Sequence, residues 1–392
     1  MFQNLKAPAP DAILSLMAAV AADKRPDVID LTVGVYRDDT GATPVMEAVR
    51  QAEQRLLAEQ TTKSYKGLIG DVEFSRQMAK LVLGDTVNPD RTALCQTPGG
   101  SGALRVLSEL IRIDESKTRL WLSDPTWANH HPLLGSVGLE TRVYPYFNIA
   151  NQCLRTEALF ASVEQMQAGD VMVLHGCCHN PTGQDLSVDE WRRLGELLVE
   201  RQVVPLIDLA YMGLGDGLKQ DVTGVRAIAS VAPTTLIAVS CSKNFGVYRD
   251  RVGCAIAVTE NRNIAATVTA QMGAVSRMLY SMPPDHGATV VKMILGDDEL
   301  RAAWQAELQI MQGRVAGLRD ALATSMCTAA GDQKWRCIAQ QKGMFSLLGT
   351  ADEDLVRLRE EFGVYLVPGG RINVAGLRLE IVDRLAQALA AI

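Results

Sequence analysis

The 392-residue chain has no C-x-x-C pair among its eight cysteines, no apolar run long enough to cross a bilayer, and no cluster of basic residues. Each absence excludes something. Cys177 and Cys178 are adjacent, a spacing that suits neither a zinc knuckle nor a redox pair, so reduced thiols in a cytoplasm are expected. The apolar patch from Ile13 to Val20 falls far short of the roughly 20 residues that a membrane helix needs. Proline and aspartate precede it and no basic region opens it, which reads against a signal peptide and for a soluble protein. Lysine and arginine are scattered among aspartate and glutamate, and the formal charge is -6. Without a basic stripe, neither nucleic acid nor an anionic membrane is an expected partner, and small molecules are. Internal repeats and low-complexity tracts are also missing.

What remains is an ordinary globular composition, with 47% hydrophobic and 21% charged residues, which argues against disorder. The length calls for two domains, or one large and one small lobe. Between about Pro44 and Leu295, short runs rich in Val, Ile and Leu alternate with helical patterns, as in a parallel sheet with crossover helices. Seven strands are predicted: Thr92–Thr97, Arg119–Asp124, Thr141–Phe147, Asp170–Gly176, Val203–Leu209, Thr235–Cys241 and Val252–Val258. Ser187-x-x-Glu190 forms a capping box, and Trp191, Leu194, Leu197 and Leu198 follow at helical spacing. From Asp297 onward, Leu300, Trp304, Leu308, Met311, Val315, Leu318 and Leu322 mark one face of a helix long enough to bridge two lobes. GMFSLLG, a charged helix from Asp352 to Glu361, strands in VYLVP and RINVAG, and a last helix then suggest a small α+β lobe, shared with the N-terminal stretch ending near Thr43.

In open α/β sheets ligands sit beyond the carboxyl ends of the strands, and those ends are rich in chemistry here. The first strand runs into TPGGSGALR, where Gly99, Gly100, Ser101 and Gly102 open a helix. This is either a plain tight turn or an anion loop at a helix N-terminus. Arg105 stands where the dinucleotide fingerprint needs its third glycine, so a nicotinamide-binding reading is weak. The sixth strand ends in SCSKNFGVYRDR. A strand-end lysine is ordinarily a solvated surface residue. Here Ser240, Ser242 and Arg251 can hold a phosphate, leaving Lys243 as a partly desolvated amine beside positive charge, a competent Schiff-base nucleophile. Asp208 interrupts the apolar fifth strand, either as a cap or ion-pair partner, or as the acid that meets a protonated pyridine nitrogen, with Tyr211 reaching the ring hydroxyl. In LHGCCHNPTG, His175, His179 and the two cysteines lack tetrahedral metal spacing, and Asn180 is the more useful donor beside the ring oxygen. Trp127, in DPTWANHH, is core packing or a stacking face for an aromatic cofactor.

With SCSKNFG, IDLAY, HNPTG, DPTWANH and TPGGSGALR, together with GVYRDDTG, TKSYKGLIGD, RMLYSMPPDHGA, GMFS and GRINVAG, the chain resembles the class I, fold-type I family of pyridoxal-phosphate-dependent aspartate and aromatic amino acid aminotransferases over its whole length. The resemblance implies an α/β fold with a mostly parallel seven-stranded sheet in a large domain and a smaller α+β domain. The expected division is an arm over residues 1–11, small-domain parts at 12–43 and 327–392, the cofactor domain at 44–295 and a connecting helix at 296–326. It implies that Lys243 carries pyridoxal 5'-phosphate and moves the proton between Cα and C4′, that Asp208 pairs with the pyridine nitrogen, and that Tyr211 and Asn180 contact O3′. Trp127 would stack on the ring, and Gly100, Ser101, Ser240 and Arg251 would hold the phosphate. Tyr65 of the neighbouring subunit would join them in a homodimer. Arg371, beside Gly34, resembles the arginine that clamps the substrate α-carboxylate. Arg277 resembles the one that reads a distal carboxylate across the dimer. Substrate binding thus falls to Gly34, Trp127, Asn180, Arg277 and Arg371, and no metal is expected. The expected reaction moves an amino group from aspartate or an aromatic amino acid to 2-oxoglutarate through alternating pyridoxal and pyridoxamine forms. Another fold-type I reaction, such as decarboxylation or elimination, would not need two substrate-reading arginines, and a dehydrogenase would need the fingerprint that fails. Met212, Met282 and Ser101 depart from the pattern of many aspartate enzymes, and Met282 makes the pocket rim more apolar.

Overall fold

A computed structural model describes residues 1–7, 12–115 and 117–392; the end of the expected arm, residues 8–11, lies outside them. The strands of the main sheet are β1 (Thr92–Pro98), β2 (Arg119–Asp124), β3 (Glu140–Pro145), β4 (Val171–His175), β5 (Val204–Leu209), β6 (Thr235–Ser240) and β7 (Val252–Val258). They lie in the order β1-β7-β6-β5-β4-β2-β3. Only β7 runs antiparallel to its neighbours. All seven predicted strands form, with ends moved by a residue or two. The largest difference is at Phe147, which leaves the main sheet for a short strand, Phe147–Asn148, paired with Cys153–Leu154.

These strands are apolar on both faces because both faces are covered. Successive side chains point to opposite sides. On β5, Ile207 and Leu209 enter a core with Trp191, Leu194 and Val225, while Leu206 enters a second core with Leu104, Leu107 and Met272. The capping box at Ser187 forms as expected and opens the helix Val188–Glu200, which buries Trp191, Leu194 and Leu198. A helix of 33 residues, Asp298–Ala330, carries the predicted stripe from Leu300 to Leu322 as its buried face. Its first half packs in the large core through Trp304 and Leu308. Its second half joins a third core, where Leu318 and Leu322 meet Ile29, Leu358, Val364, Ile372 and Leu385.

Around this third core the strands are short. Ile29–Asp30 pairs in parallel with Val364–Tyr365, and Phe345–Leu347 pairs antiparallel with Arg371–Asn373. VYLVP and RINVAG are therefore strands only over their first residues; RINVAG continues as a turn of 3-10 helix at Val374–Gly376. Among the described residues no helix is long and apolar enough to cross a membrane. All eight cysteines are free.

Candidate active site

Beyond the carboxyl ends of β4, β5 and β6, a cavity of about 160 Å³ is lined by Gly100, Ser101, Trp127, Asn180, Asp208, Tyr211, Ser240, Lys243 and Arg251. Parallel pairing makes this convergence possible: Asp208 is in register with His175 on β4 and with Ala238 on β6. Lys243 follows β6 on a turn anchored from the long helix. Trp304 donates its indole N–H to the Asn244 carbonyl at 2.7 Å and stacks on Phe245 at 4.3 Å. The Lys243 amine lies 5.0 Å from the centre of the Tyr211 ring. Burial lowers its pKa to about 8, the Asp208 carboxylate opposing and Arg251 adding to the shift.

Burial alone would raise the Asp208 carboxyl, but contact with His130 and the charges of His130, His175 and Lys243 hold it below the usual range. Its Oδ2 is 3.1 Å from His130 Nε2, whose other ring nitrogen is 2.8 Å from Thr126 Oγ1. Thr126 in turn is 3.2 Å from His175 Nε2. Asp208 is thus the hydrogen-bond partner of His130 and a wall of the cavity at once. Sequence reasoning did not single out His130. Its place in DPTWANHH, just past β2, was the available signal, but nothing local says that it turns toward a carboxylate on β5.

The first helix turn forms a cradle. Gly99 adopts φ +71°, and a Cβ there would stand 2.6 Å from Arg251 Nη2. One on Gly100 would stand 2.9 Å from the Ser240 Cβ. Only glycine lets the backbone come this near. Arg251 Nη1 donates to Ser242 Oγ at 3.3 Å and to the Tyr248 carbonyl at 3.2 Å. Free N–H groups of the helix Gly99–Asp114, two hydroxyls and a guanidinium therefore surround one spot, a donor set that fits a phosphate. Opposite the cradle, Asn180 Nδ2 donates to the Tyr211 hydroxyl at 3.2 Å. Asn180 Oδ1, an acceptor, is buried without a protein partner, and the second hydrogen of Nδ2 is the donor that can meet a ring oxygen. Burial and the nearby Asp208 raise the Tyr211 hydroxyl well above its ordinary value. Trp127, half-buried, meets His130 edge-on at 5.3 Å and lines the cavity.

Arg371 is one aromatic ring away. Its guanidinium covers Phe345 at 4.4 Å, and Phe345 meets Tyr211 edge-on at 5.8 Å. Arg371 Nη2 donates to the Thr32 carbonyl at 2.8 Å, while the buried Nε has no protein partner. Burial lowers its pKa. Gly34 stands against the same ring, where a Cβ would be 2.8 Å from Phe345 Cζ. The Asn373 amide fixes that stretch by donating to the Val33 and Val35 carbonyls, both at 2.7 Å.

Two expected residues are not brought to the cavity within one chain. Tyr65 is 91% exposed and Arg277 is exposed in the last turn of the helix Arg262–Tyr280. They do share a surface: Ser276 donates to the Leu68 carbonyl at 2.6 Å, and the Lys66 N–H points at the Met282 sulfur at 3.0 Å. Among the described residues, Cys177, Cys178 and Asp221 bring three metal-binding atoms within 4.8 Å. The Asp221 carboxylate is engaged by the N–H groups of Gly213, Gly215 and Asp216, so the cluster reads as a loop staple.

An amine, a buried acid and an anion cradle at the carboxyl ends of a mostly parallel seven-stranded sheet define an enzyme of the pyridoxal-phosphate-dependent transferase class. Residues 26–389 match the family described as aminotransferase class I and II. The chain is 45% identical over 389 residues to the aromatic-amino-acid aminotransferase of Paracoccus denitrificans, covering 99% of each. It is 43% identical over 395 residues to the aspartate aminotransferase of Escherichia coli (strain K12), covering 100% of each. Among solved structures, the aromatic-amino-acid aminotransferase of Burkholderia pseudomallei, covalently bound to pyridoxal phosphate, superposes with a TM-score of 0.96 at 36% identity, covering 100% of this chain and 99% of that one. The chain belongs to the class I and II aminotransferase family. It is a transaminating enzyme whose cofactor is pyridoxal phosphate.

Proposed function

We propose that this aminotransferase takes its amino group from aspartate, glutamate or an aromatic amino acid, delivers it to 2-oxoglutarate, and works as a cytoplasmic homodimer. The observation that carries the substrate reading is Arg371, a buried guanidinium with an unpartnered Nε one ring from Tyr211. Every amino acid and oxo acid brings an α-carboxylate, and Arg371 can bind it bidentately. Phe345 keeps water from one face of that pair.

When bound, pyridoxal phosphate supplies an electron sink for the pair left on the substrate Cα. The Gly99–Ser101 turn, Ser240 and Arg251 hold its phosphate, Tyr211 and Asn180 its ring oxygen, and Trp127 its face. Asp208, kept ionised by its histidine partner, holds positive charge at the ring nitrogen. Lys243 would hold the cofactor through its amine and, once that amine is free, would move the substrate Cα proton to C4′. Its depressed pKa keeps a useful fraction neutral near pH 7.

Arg277 is assigned to the distal carboxylate, and Tyr65 to the phosphate, both of the partner subunit's site. Tyr65 and Leu68 are exposed, and their loop is tied to the helix of Arg277 through buried Ser276 and to Met282 just past it, which supports this reading. Met282 gives an aromatic side chain apolar surface once Arg277 turns away. We place domain boundaries at 11, 43, 295 and 326, in keeping with the separate core that gathers Ile29, Leu31 and the residues after Leu318. Identities of 43% and 45% to aspartate and aromatic-amino-acid enzymes favour transamination over decarboxylation, elimination or hydride transfer.

The test is kcat/KM for aspartate and for phenylalanine in Arg277→Leu and Arg371→Leu. Arg277→Leu is expected to lose about 2–5 kcal/mol of transition-state binding for aspartate, leaving phenylalanine nearly unchanged. Arg371→Leu is expected to depress both. Equal losses in Arg277→Leu would remove its assignment, and absent phenylalanine turnover in the wild type would reduce the donors to the acidic ones.

A further inference from the structure

In the second half of the long helix, Arg319 is buried at 2% exposure, and no carboxylate pairs with it among the described residues. A buried guanidinium is tolerated only when its N–H groups are all used. Its Nε donates to the Gly343 carbonyl at 3.1 Å, and its Nη1 to the Ile338 carbonyl at 3.2 Å and the Ser346 hydroxyl at 2.8 Å. Its Nη2 reaches the carbonyls of Lys342, Gly343 and Phe345 at 3.1, 2.7 and 2.6 Å. Nearly all these acceptors belong to residues 342–346, a turn that runs into the strand Phe345–Leu347.

That turn touches both sides of the active site. Lys342 donates its N–H to the Gly183 carbonyl at 2.6 Å, in the N-P-T-G turn that carries Asn180. A Cβ on Gly183 would stand 2.5 Å from the Phe345 carbonyl oxygen, so the two turns are in backbone contact. Phe345 and Leu347 pair in register with Asn373 and Arg371, and the Phe345 ring underlies the Arg371 guanidinium at 4.4 Å. We infer that Arg319 is a positioning residue that sets Phe345, and through it the orientation of Arg371 toward the substrate carboxylate. A planar fork can gather carbonyls spread over a turn, whereas the point charge of a lysine cannot span them. Arg319 touches neither substrate nor cofactor.

The inference rests on Arg371 as the α-carboxylate reader, and the experiment separates the two. Holoenzymes of Arg319→Lys, Arg371→Leu and wild type are compared in three measurements: kcat and KM for aspartate and phenylalanine, the Kd of an unreactive monocarboxylate by calorimetry, and the half-reaction rate with a primary amine that has no carboxylate. Arg319→Lys is expected to lose roughly tenfold to a hundredfold in kcat/KM, mainly through KM. Carboxylate binding should weaken in parallel, while the amine reaction stays near the wild-type rate. If Arg319→Lys does not accumulate as folded holoenzyme, Ser346→Ala, which removes one acceptor, is expected to give a smaller loss with the same pattern. Equal losses for amine and amino acids, or none, overturn the inference, because a general packing role does not distinguish substrates by their carboxylate. Retained carboxylate binding in Arg371→Leu overturns the reading of Arg371 and this inference with it. Lost binding there beside wild-type behaviour in Arg319→Lys overturns this inference alone.

Discussion

At the scale of single residues, burial acts on two groups of the cavity with opposite outcomes. Lys243 is a cation in water, yet burial lowers its pKa from 10.5 to about 8. The neutral amine is the nucleophile, so capture of pyridoxal phosphate by cofactor-free protein should speed up as pH rises through about 8 and level off above it. Stopped-flow absorbance measures this, and a rate that fell over the same range would contradict the assignment. Lys243→Ala should fold, with an unchanged circular dichroism spectrum, and lose nearly all turnover. Asp208 is the opposite case, a buried carboxylate held ionised by His130 against the pull of burial. Asp208→Ala should still bind the cofactor but slow Cα proton removal strongly, with Asp208→Glu doing less harm. An unchanged single-turnover rate in Asp208→Ala would give the carboxylate another task. The convergence of Lys243, Asp208, Tyr211 and Asn180 on one cavity was legible in the sequence because each is a polar residue just past or at the end of an apolar run. His130 was not, since a histidine beyond a strand end looks the same whether it faces solvent or a carboxylate.

At the scale of elements, the crossing from β1 into the helix Gly99–Asp114 decides whether a phosphate can approach. Gly99→Ala adds a Cβ 2.6 Å from Arg251 on a backbone with φ +71°. The substituted turn must shift, and the Kd for pyridoxal phosphate should rise by at least roughly tenfold, read from equilibrium dialysis against the cofactor. Affinity equal to wild type would mean that the phosphate sits elsewhere. The Ser187 capping box lies far from this chemistry, and Ser187→Ala should lower stability by about 1 kcal/mol with cofactor affinity intact. Element types and most limits could be read from periodicity. The exception at Phe147 arose because the chain leaves the sheet after β3 and pairs Phe147 with Leu154, a local hairpin contact that apolar runs do not encode.

At the scale of the whole molecule, Tyr65 and Arg277 lie on one exposed surface, away from the cavity of their own chain. A homodimer with shared sites makes a sharp prediction for mixtures. Lys243→Ala is expected to lack aspartate turnover and Arg277→Leu to have it sharply reduced, while heterodimers unfolded and refolded together regain it, because one of their two sites has both residues intact. Activity no greater than the sum of the separate variants would count against a shared site. The sequence alone determined which chemistry is available. Its apolar runs specify a covered parallel sheet, and their polar ends supply the amine, the acid and the anion loop, because strand period and burial act over a few neighbouring residues. Tertiary structure alone decided how those groups are tuned and aimed. His130 meets Asp208 across 78 residues of chain, and Arg371 is tied to the Thr32 carbonyl across 339. Arg319 reaches the turn beneath Phe345 only because a 33-residue helix runs from the large core into the small one. Such contacts depend on where distant elements pack, and no local pattern of side chains carries that information.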